Sequence, residues 1–103
     1  MEIFLRKHPQ IDGIFAINDF VALDVMDILE QLGKKVPEDV QVIGYDGIRL
    51  ANERKYPVST IKQPLELMAK EAVHMLISVI DGEAYPLQSV LPIRFIEGPT
   101  TKK

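Results

Sequence analysis

The chain has 103 residues, a formal net charge of −3, 47% hydrophobic and 26% charged residues, and no cysteine. Such a chain forms one small domain at most, has no disulfide or thiol chemistry, and holds no apolar run of the roughly 18–20 residues that a membrane-spanning helix needs. Its basic pairs, Lys34-Lys35, Arg54-Lys55 and Lys102-Lys103, are scattered. They lack the concentrated positive footprint with which a domain grips nucleic-acid phosphates, so this segment is not expected to bind DNA directly.

Residues 2–8 read as the last turns of a helix, with Ile3 and Leu5 apolar, Arg6-Lys7 at its negative end and Pro9 as its stop. Met1 to Gln10 has no apolar core of a signal peptide, and a helix opening at Met1 without an N-cap resembles a cut end. Gly13 to Ile17 is a continuous apolar run, the pattern of a buried parallel strand. Asp19 is suited to cap a helix over 20–33, with Gly33 closing it. Val21, Ala22, Val25, Ile28, Leu29 and Leu32 make one wide apolar stripe, and Leu23 and Met26 fall off its edge. A helix packed only on its own sheet needs one stripe. The extra pair points to a second contact, although single exposed apolar residues are ordinary.

Val36 to Asp39 reads as a loop and Val40 to Tyr45 as a second buried strand. A short helix is expected over 48–55, and Val58 to Ile61 reads as a third strand. Pro64 sits in the first turn of a long helix reaching Asp81, where its missing N–H costs little. One broad face of that helix carries Leu65, Met68, Ala69, Ala72, Val73, Met75, Leu76, Val79 and Ile80. Glu66, Lys70, His74, Ser78 and Asp81 make the other face. A turn over 82–87 and a strand over 90–96 follow, and the tail from Gly98 to Lys103 is expected to fray. The alternation of strands and helices predicts an α/β fold, a mostly parallel open sheet with flanking helices.

Two apolar runs end abruptly in polar side chains, Ala16-Ile17-Asn18-Asp19 and Val42-Ile43-Gly44-Tyr45-Asp46-Gly47. In an open α/β sheet such ends face the crevice where ligands bind. Asn18 offers an amide that both donates and accepts, and Asp46 a carboxylate able to accept from two neighbouring hydroxyls. Gln63 follows the third strand and is placed to reach the same crevice; Tyr45 and Arg49 are near in sequence. These groups suit a small polyol better than any catalysis. His8 and His74 lack partners for nucleophilic chemistry and the spacing of metal ligands, and Gly44 and Gly47 alone are no phosphate-binding fingerprint. No catalytic residue, metal or cofactor is expected.

Ile11-Asp-Gly-Ile-Phe-Ala-Ile-Asn-Asp19, Val36-Pro-Glu-Asp-Val-Gln-Val-Ile-Gly-Tyr-Asp46 and Ser59-Thr-Ile-Lys-Gln-Pro64 resemble the C-terminal part of the LacI/GalR family of bacterial transcription repressors. Leu91-Pro-Ile-Arg-Phe-Ile-Glu97 resembles that family's closing strand. The resemblance covers nearly all 103 residues, in the family's order. It implies a two-lobed sugar-binding core similar to periplasmic binding proteins, of which residues 2–63 and 92–98 belong to the second lobe. Residues 64–91 would normally pack on a first lobe that this chain lacks. It further implies that Asn18 and Asp46 hydrogen-bond the effector, that Gln63 and Leu65 lie at the crossover between lobes, and that Leu23 and Met26 belong to a dimer interface. The expected protein is a cytoplasmic sugar-responsive repressor, a homodimer with no membrane association, whose operator DNA contacts come from a helix-turn-helix headpiece outside this chain. Without the first lobe, the face from Leu65 to Ile80 is expected either to refold onto its own sheet or to pair with another copy, by exchange of elements for example.

Two other functions fit parts of the pattern. A periplasmic sugar-binding protein would share the fold. A phosphoacceptor receiver domain would also place acids at strand tips, with Asp19, Asp46, Thr60 and Lys62 in the corresponding roles, but the order of its elements does not match.

Overall fold

A computed structural model describes residues 1–48, 57–86 and 88–103. They divide into two compact units: residues Met1–Lys62 with Arg94–Lys103, and residues Gln63–Ile93.

The first unit opens with helix α1 (Glu2–Lys7). Glu2 pairs with Arg6 across one turn at 2.8 Å, and His8 caps the helix just before Pro9. Strand β1 (Gly13–Phe15), helix α2 (Asp19–Gln31) and strand β2 (Gln41–Asp46) then form a βαβ unit. Strands β3 (Ser59–Lys62) and β4 (Arg94–Ile96) complete a four-stranded sheet whose spatial order is that of the sequence. β1, β2 and β3 are parallel, with Phe15 opposite Ile43 and Asp46 opposite Lys62; β4 closes the edge antiparallel to β3. The strand expected over 90–96 is thus only its last three residues. The short helix expected over 48–55 and Arg49 lie outside the described residues, as does Leu87 in the expected turn.

Alternation within β2 sets the inward face. Val42 and Gly44 are buried, whereas Gln41, Ile43 and Tyr45 are half-buried. The core joins Leu5 of α1, Ala16, Ala22, Leu23, Val25 and Leu29 around α2, and Val40, Val42 and Val58 of the sheet region. Each Val or Leu so buried contributes roughly 1.5–3 kcal/mol. Leu23 corrects one expectation. It is only 5% exposed and part of this core, not on the polar edge of α2. The stripe argument assumed that the sheet alone covers α2, yet the cluster reaches α1 as well, so the buried arc on α2 is wider. Met26 is half-buried against the same cluster.

The tail is fixed, not frayed. Val42 N–H donates to the Thr100 carbonyl at 2.9 Å. The Thr100 hydroxyl donates to the Val42 carbonyl at 2.6 Å and accepts from Ser59 N–H at 2.8 Å, so it bridges β2 and β3 where both begin. Ser59 Oγ accepts from Gly98 N–H at 2.8 Å and lies 2.7 Å from Thr101 Oγ1. Gly98 is required there because a Cβ would come within 2.8 Å of Ser59 N.

The second unit is built on helix α3 (Leu65–Ile80), with Pro64 at the N-cap. Ser78, expected on the polar face, is its one buried residue, and Leu65, Leu67, Met68, Val73, Leu76, Val79 and Ile80 are exposed. Tyr85 Oη donates to Glu71 Oε1 at 2.7 Å and stands edge-on to the His74 ring. This bond to the carboxylate, followed by desolvation and the charge of Glu71, raises the Tyr85 pKa above 10.0.

Candidate functional site

The candidate site lies at the carboxyl ends of β1 and β2. Beyond the last registered pair, Phe15 and Ile43, both chains run on in parallel, with Ala16 N–H donating to the Ile43 carbonyl at 2.8 Å. Asn18 follows β1 as the N-cap of α2, and Asp46 is the last residue of β2, so both stand beyond or at the carboxyl ends of neighbouring parallel strands. This is the edge where open α/β sheets take their ligands.

Asn18, not Asp19, is the N-cap of α2. Its backbone is extended (φ −155°, ψ 175°), and its Oδ1 accepts from Val21 N–H at 2.9 Å. Both residue types cap well. The outcome is decided by burial: Asp19, 1% exposed, points its carboxylate into the sheet instead. There it accepts from Thr60 Oγ1 at 2.5 Å and from Ile48 N–H at 2.7 Å. Asn18 therefore spends its amide oxygen on the helix, while its N–H2 group makes no hydrogen bond among the described residues.

Asp46 ends β2 with φ 99°, a left-handed backbone that a residue with a Cβ rarely adopts, and Gly47 follows at φ 69°. Non-glycine residues held there cost about 1–3 kcal/mol and concentrate at functional positions. A Cβ at Gly47 would lie 3.0 Å from Lys62 Cα, so the turn also needs glycine for space. Asp46 is half-buried and engaged within the chain. Tyr45 stands edge-on to Phe15 with ring centroids 6.2 Å apart. Gln63 directly follows β3 and opens the second unit; it is half-buried and also engaged. Lys62 and Thr60, weighed as receiver-like residues, sit on β3, Thr60 being spent on Asp19.

Nothing in the sequence signals the role of Asp19 as a buried acceptor or the Thr100 bridge, apart from one residue. The only signal for Asp19 was a glycine at position 44: a Cβ there would collide with Asp19 Oδ1. Among the described residues, no group of three or more His, Asp or Glu side chains is gathered as a metal would require, and no helix is long and apolar enough to cross a membrane.

Residues 2–101 match the family described as periplasmic binding protein-like domain. The ribose operon repressor of Bacillus subtilis (strain 168) is 39% identical over 103 residues, which cover 99% of this chain and 31% of that protein. The HTH-type transcriptional regulator CelR of Thermobifida fusca is 37% identical over 92 residues, 88% of this chain and 27% of that protein. The chain thus spans less than a third of the length of these relatives. Among solved structures, a LacI family transcriptional regulator from Arthrobacter sp. FB24 in complex with lactose superposes with a TM-score of 0.85 at 35% identity, covering 98% of this chain and 38% of that one. The lac repressor dimer bound to operator and the anti-inducer ONPF superposes with a TM-score of 0.87 at 26% identity, covering 97% of this chain and 35% of that one. These relatives are transcriptional regulators, which favours the repressor reading over the transport alternative. The chain belongs to the periplasmic binding protein-like domain family, and within it is similar to the LacI-type regulators.

Proposed function

We propose that these residues are the effector-sensing and dimerising part of a LacI-type transcriptional repressor, and that the effector is a sugar or a similar polyhydroxy molecule. One observation carries this reading. Asn18 and Asp46 stand at the carboxyl ends of adjacent parallel strands, Asp46 with a strained left-handed backbone. A carboxylate that accepts from two hydroxyls and an amide N–H2 that donates to a third oxygen match a polyol. The lactose bound to the Arthrobacter regulator is a ligand of that class. Gln63 is included as a third contact on the family resemblance alone. The role read for the site is binding and not catalysis, in keeping with relatives that are transcriptional regulators.

In the whole protein, operator DNA is contacted by a headpiece outside these residues, and ligand binding shifts the population between two arrangements of the sensing core. The protein acts in the cytoplasm as a homodimer. Its α2 contact uses the surface around Met26, since Leu23 is taken up by the core.

The test is calorimetric titration of the whole protein with ribose, sucrose, cellobiose and lactose. One sugar binds, and Asp46→Ala weakens it about 10- to 100-fold, the loss of a hydrogen bond to a charged group. Unchanged affinity in Asp46→Ala removes Asp46 from the site.

A further inference from the structure

Asp19 is the most deeply buried carboxylate among the described residues, and the proposed ligand contacts make no use of it. Its partners are the Thr60 hydroxyl and the Ile48 N–H, and no cation faces it among the described residues. Burying a charge without a counter-ion is expensive. The first turn of α2 offsets part of that cost through the helix dipole, and two charge-assisted hydrogen bonds offset more. An apolar side chain would fill the same space without the penalty. The distinctive thing the carboxylate does is hold its two donors.

Those donors tie the strand ends together. Asp19 follows β1 directly. Thr60 belongs to β3, opposite Gly44 of β2, and Gly44 lacks the Cβ that would strike the Asp19 carboxylate. Ile48 lies two residues beyond Asp46, just past the left-handed pair Asp46-Gly47. Its N–H donates to Asp19 directly after that pair. We propose that Asp19 is the positioning residue of the ligand site: by accepting from Ile48 N–H and Thr60 Oγ1 in the space left by Gly44, it holds the Asp46-Gly47 turn left-handed and so aims the Asp46 carboxylate. That the aimed carboxylate serves a ligand rests on the proposed function; the control of the turn does not.

The experiment is nuclear magnetic resonance on this 103-residue chain, comparing wild type, Asp19→Ala, Asp19→Asn and Gly44→Ala. Two readouts report the turn: the HN–Hα coupling of Asp46, small at its positive φ and large in extended backbone, and the exchange rate of the Ile48 amide. The Leu29 amide, in the core of α2, reports global opening. In Asp19→Ala the Asp46 coupling rises and Ile48 exchanges about 10- to 100-fold faster, as loss of a charge-assisted bond requires, with a smaller change at Leu29. Asp19→Asn restores both, because its carbonyl still accepts from Ile48 and its N–H2 can donate to the Thr60 oxygen. Gly44→Ala displaces the carboxylate while keeping its charge and reproduces the Asp19→Ala signature, which decides the matter if Asp19→Ala fails to fold. An Asp46 coupling and Ile48 exchange that stay at wild-type values in Asp19→Ala and Gly44→Ala, or that move only in step with Leu29, overturn the proposal. A turn that responds as described, together with sugar affinity unaffected by Asp46→Ala, leaves the positioning intact and refutes the ligand reading instead.

Discussion

Replacing Thr100 by Val keeps the shape of the side chain and deletes one hydroxyl. Thr100 is 1% exposed, so water does not take the hydroxyl's place. Ser59 N–H loses its acceptor outright and the Val42 carbonyl loses the Thr100 donor. A buried polar group left unpaired costs about 1–3 kcal/mol, and a carbonyl that keeps a second lone pair costs less than an orphaned N–H. The sum is about 2–4 kcal/mol, a large share of the roughly 5–15 kcal/mol by which native domains are stable. Thr100→Ser keeps the hydroxyl and removes a methyl, which costs about 0.8 kcal/mol. Urea unfolding followed by circular dichroism measures both variants, with the midpoint expected to fall at constant m-value. Thr100→Val falls well below Thr100→Ser, and its Ser59 amide exchanges faster. A Thr100→Val chain as stable as Thr100→Ser, or more so, refutes the claim that the tail is fixed by this bridge and not by packing.

Asn18 caps α2 and is proposed to contact the ligand, and substitution separates the two roles. Asn18→Ala destabilises by about 1 kcal/mol through loss of the N-cap, whereas Asn18→Ser keeps the cap and stability, yet weakens sugar binding by loss of the amide N–H2; thermal unfolding and calorimetry read the two effects. The Tyr85 phenol is held neutral by its bond to Glu71. Its titration therefore lies above 10.0, and the contact is present below that pH and lost as pH rises through the raised pKa. Ultraviolet absorbance titration of Glu71→Ala should return it toward the ordinary phenolic value. The exposed apolar face of α3 should make this chain self-associate, since isolated monomers rarely tolerate more than a few hundred Å2 of contiguous apolar surface. Light scattering should give a dimer for wild type and a monomer for the Leu76→Asp, Ile80→Asp double variant; a wild-type monomer with unprotected α3 amides contradicts this.

The strands were legible because each is a short apolar run cut off by polar residues, but the continuous burial expected of them is not what forms: Phe15 and Ile17 of the first run are exposed, and β2 alternates between buried and half-buried residues. The same cut-offs mark Asn18 and Asp46 as the candidate residues at the strand ends. What the sequence hid is long-range. Asn18 and Asp19 are equally able to cap a helix, and the choice between them depends on Thr60 and Ile48, 41 and 29 residues from Asp19. Gly98-Pro99-Thr100-Thr101-Lys102-Lys103 has the composition of a loose end, and its order comes from partners at Val42 and Ser59, on strands far back in the chain. Leu23 was misplaced because helical periodicity reports how many faces are apolar, not how many neighbours an element has. The left-handed backbone at Asp46 left a trace only in Gly47, and an Asp-Gly pair marks many turns that bind nothing.

The central claim is that Asn18 and Asp46 meet a hydroxylated ligand at the ends of β1 and β2. The most direct measurement is the nuclear magnetic resonance of those two side chains in the whole protein, isotope-labelled and titrated with the sugar that calorimetry selects. The Asn18 side-chain N–H2 and the Asp46 carboxyl carbon should shift along one saturation curve with the calorimetric affinity, more than the Thr100 and Tyr85 signals. Saturating sugar that leaves both resonances where they stood contradicts the account.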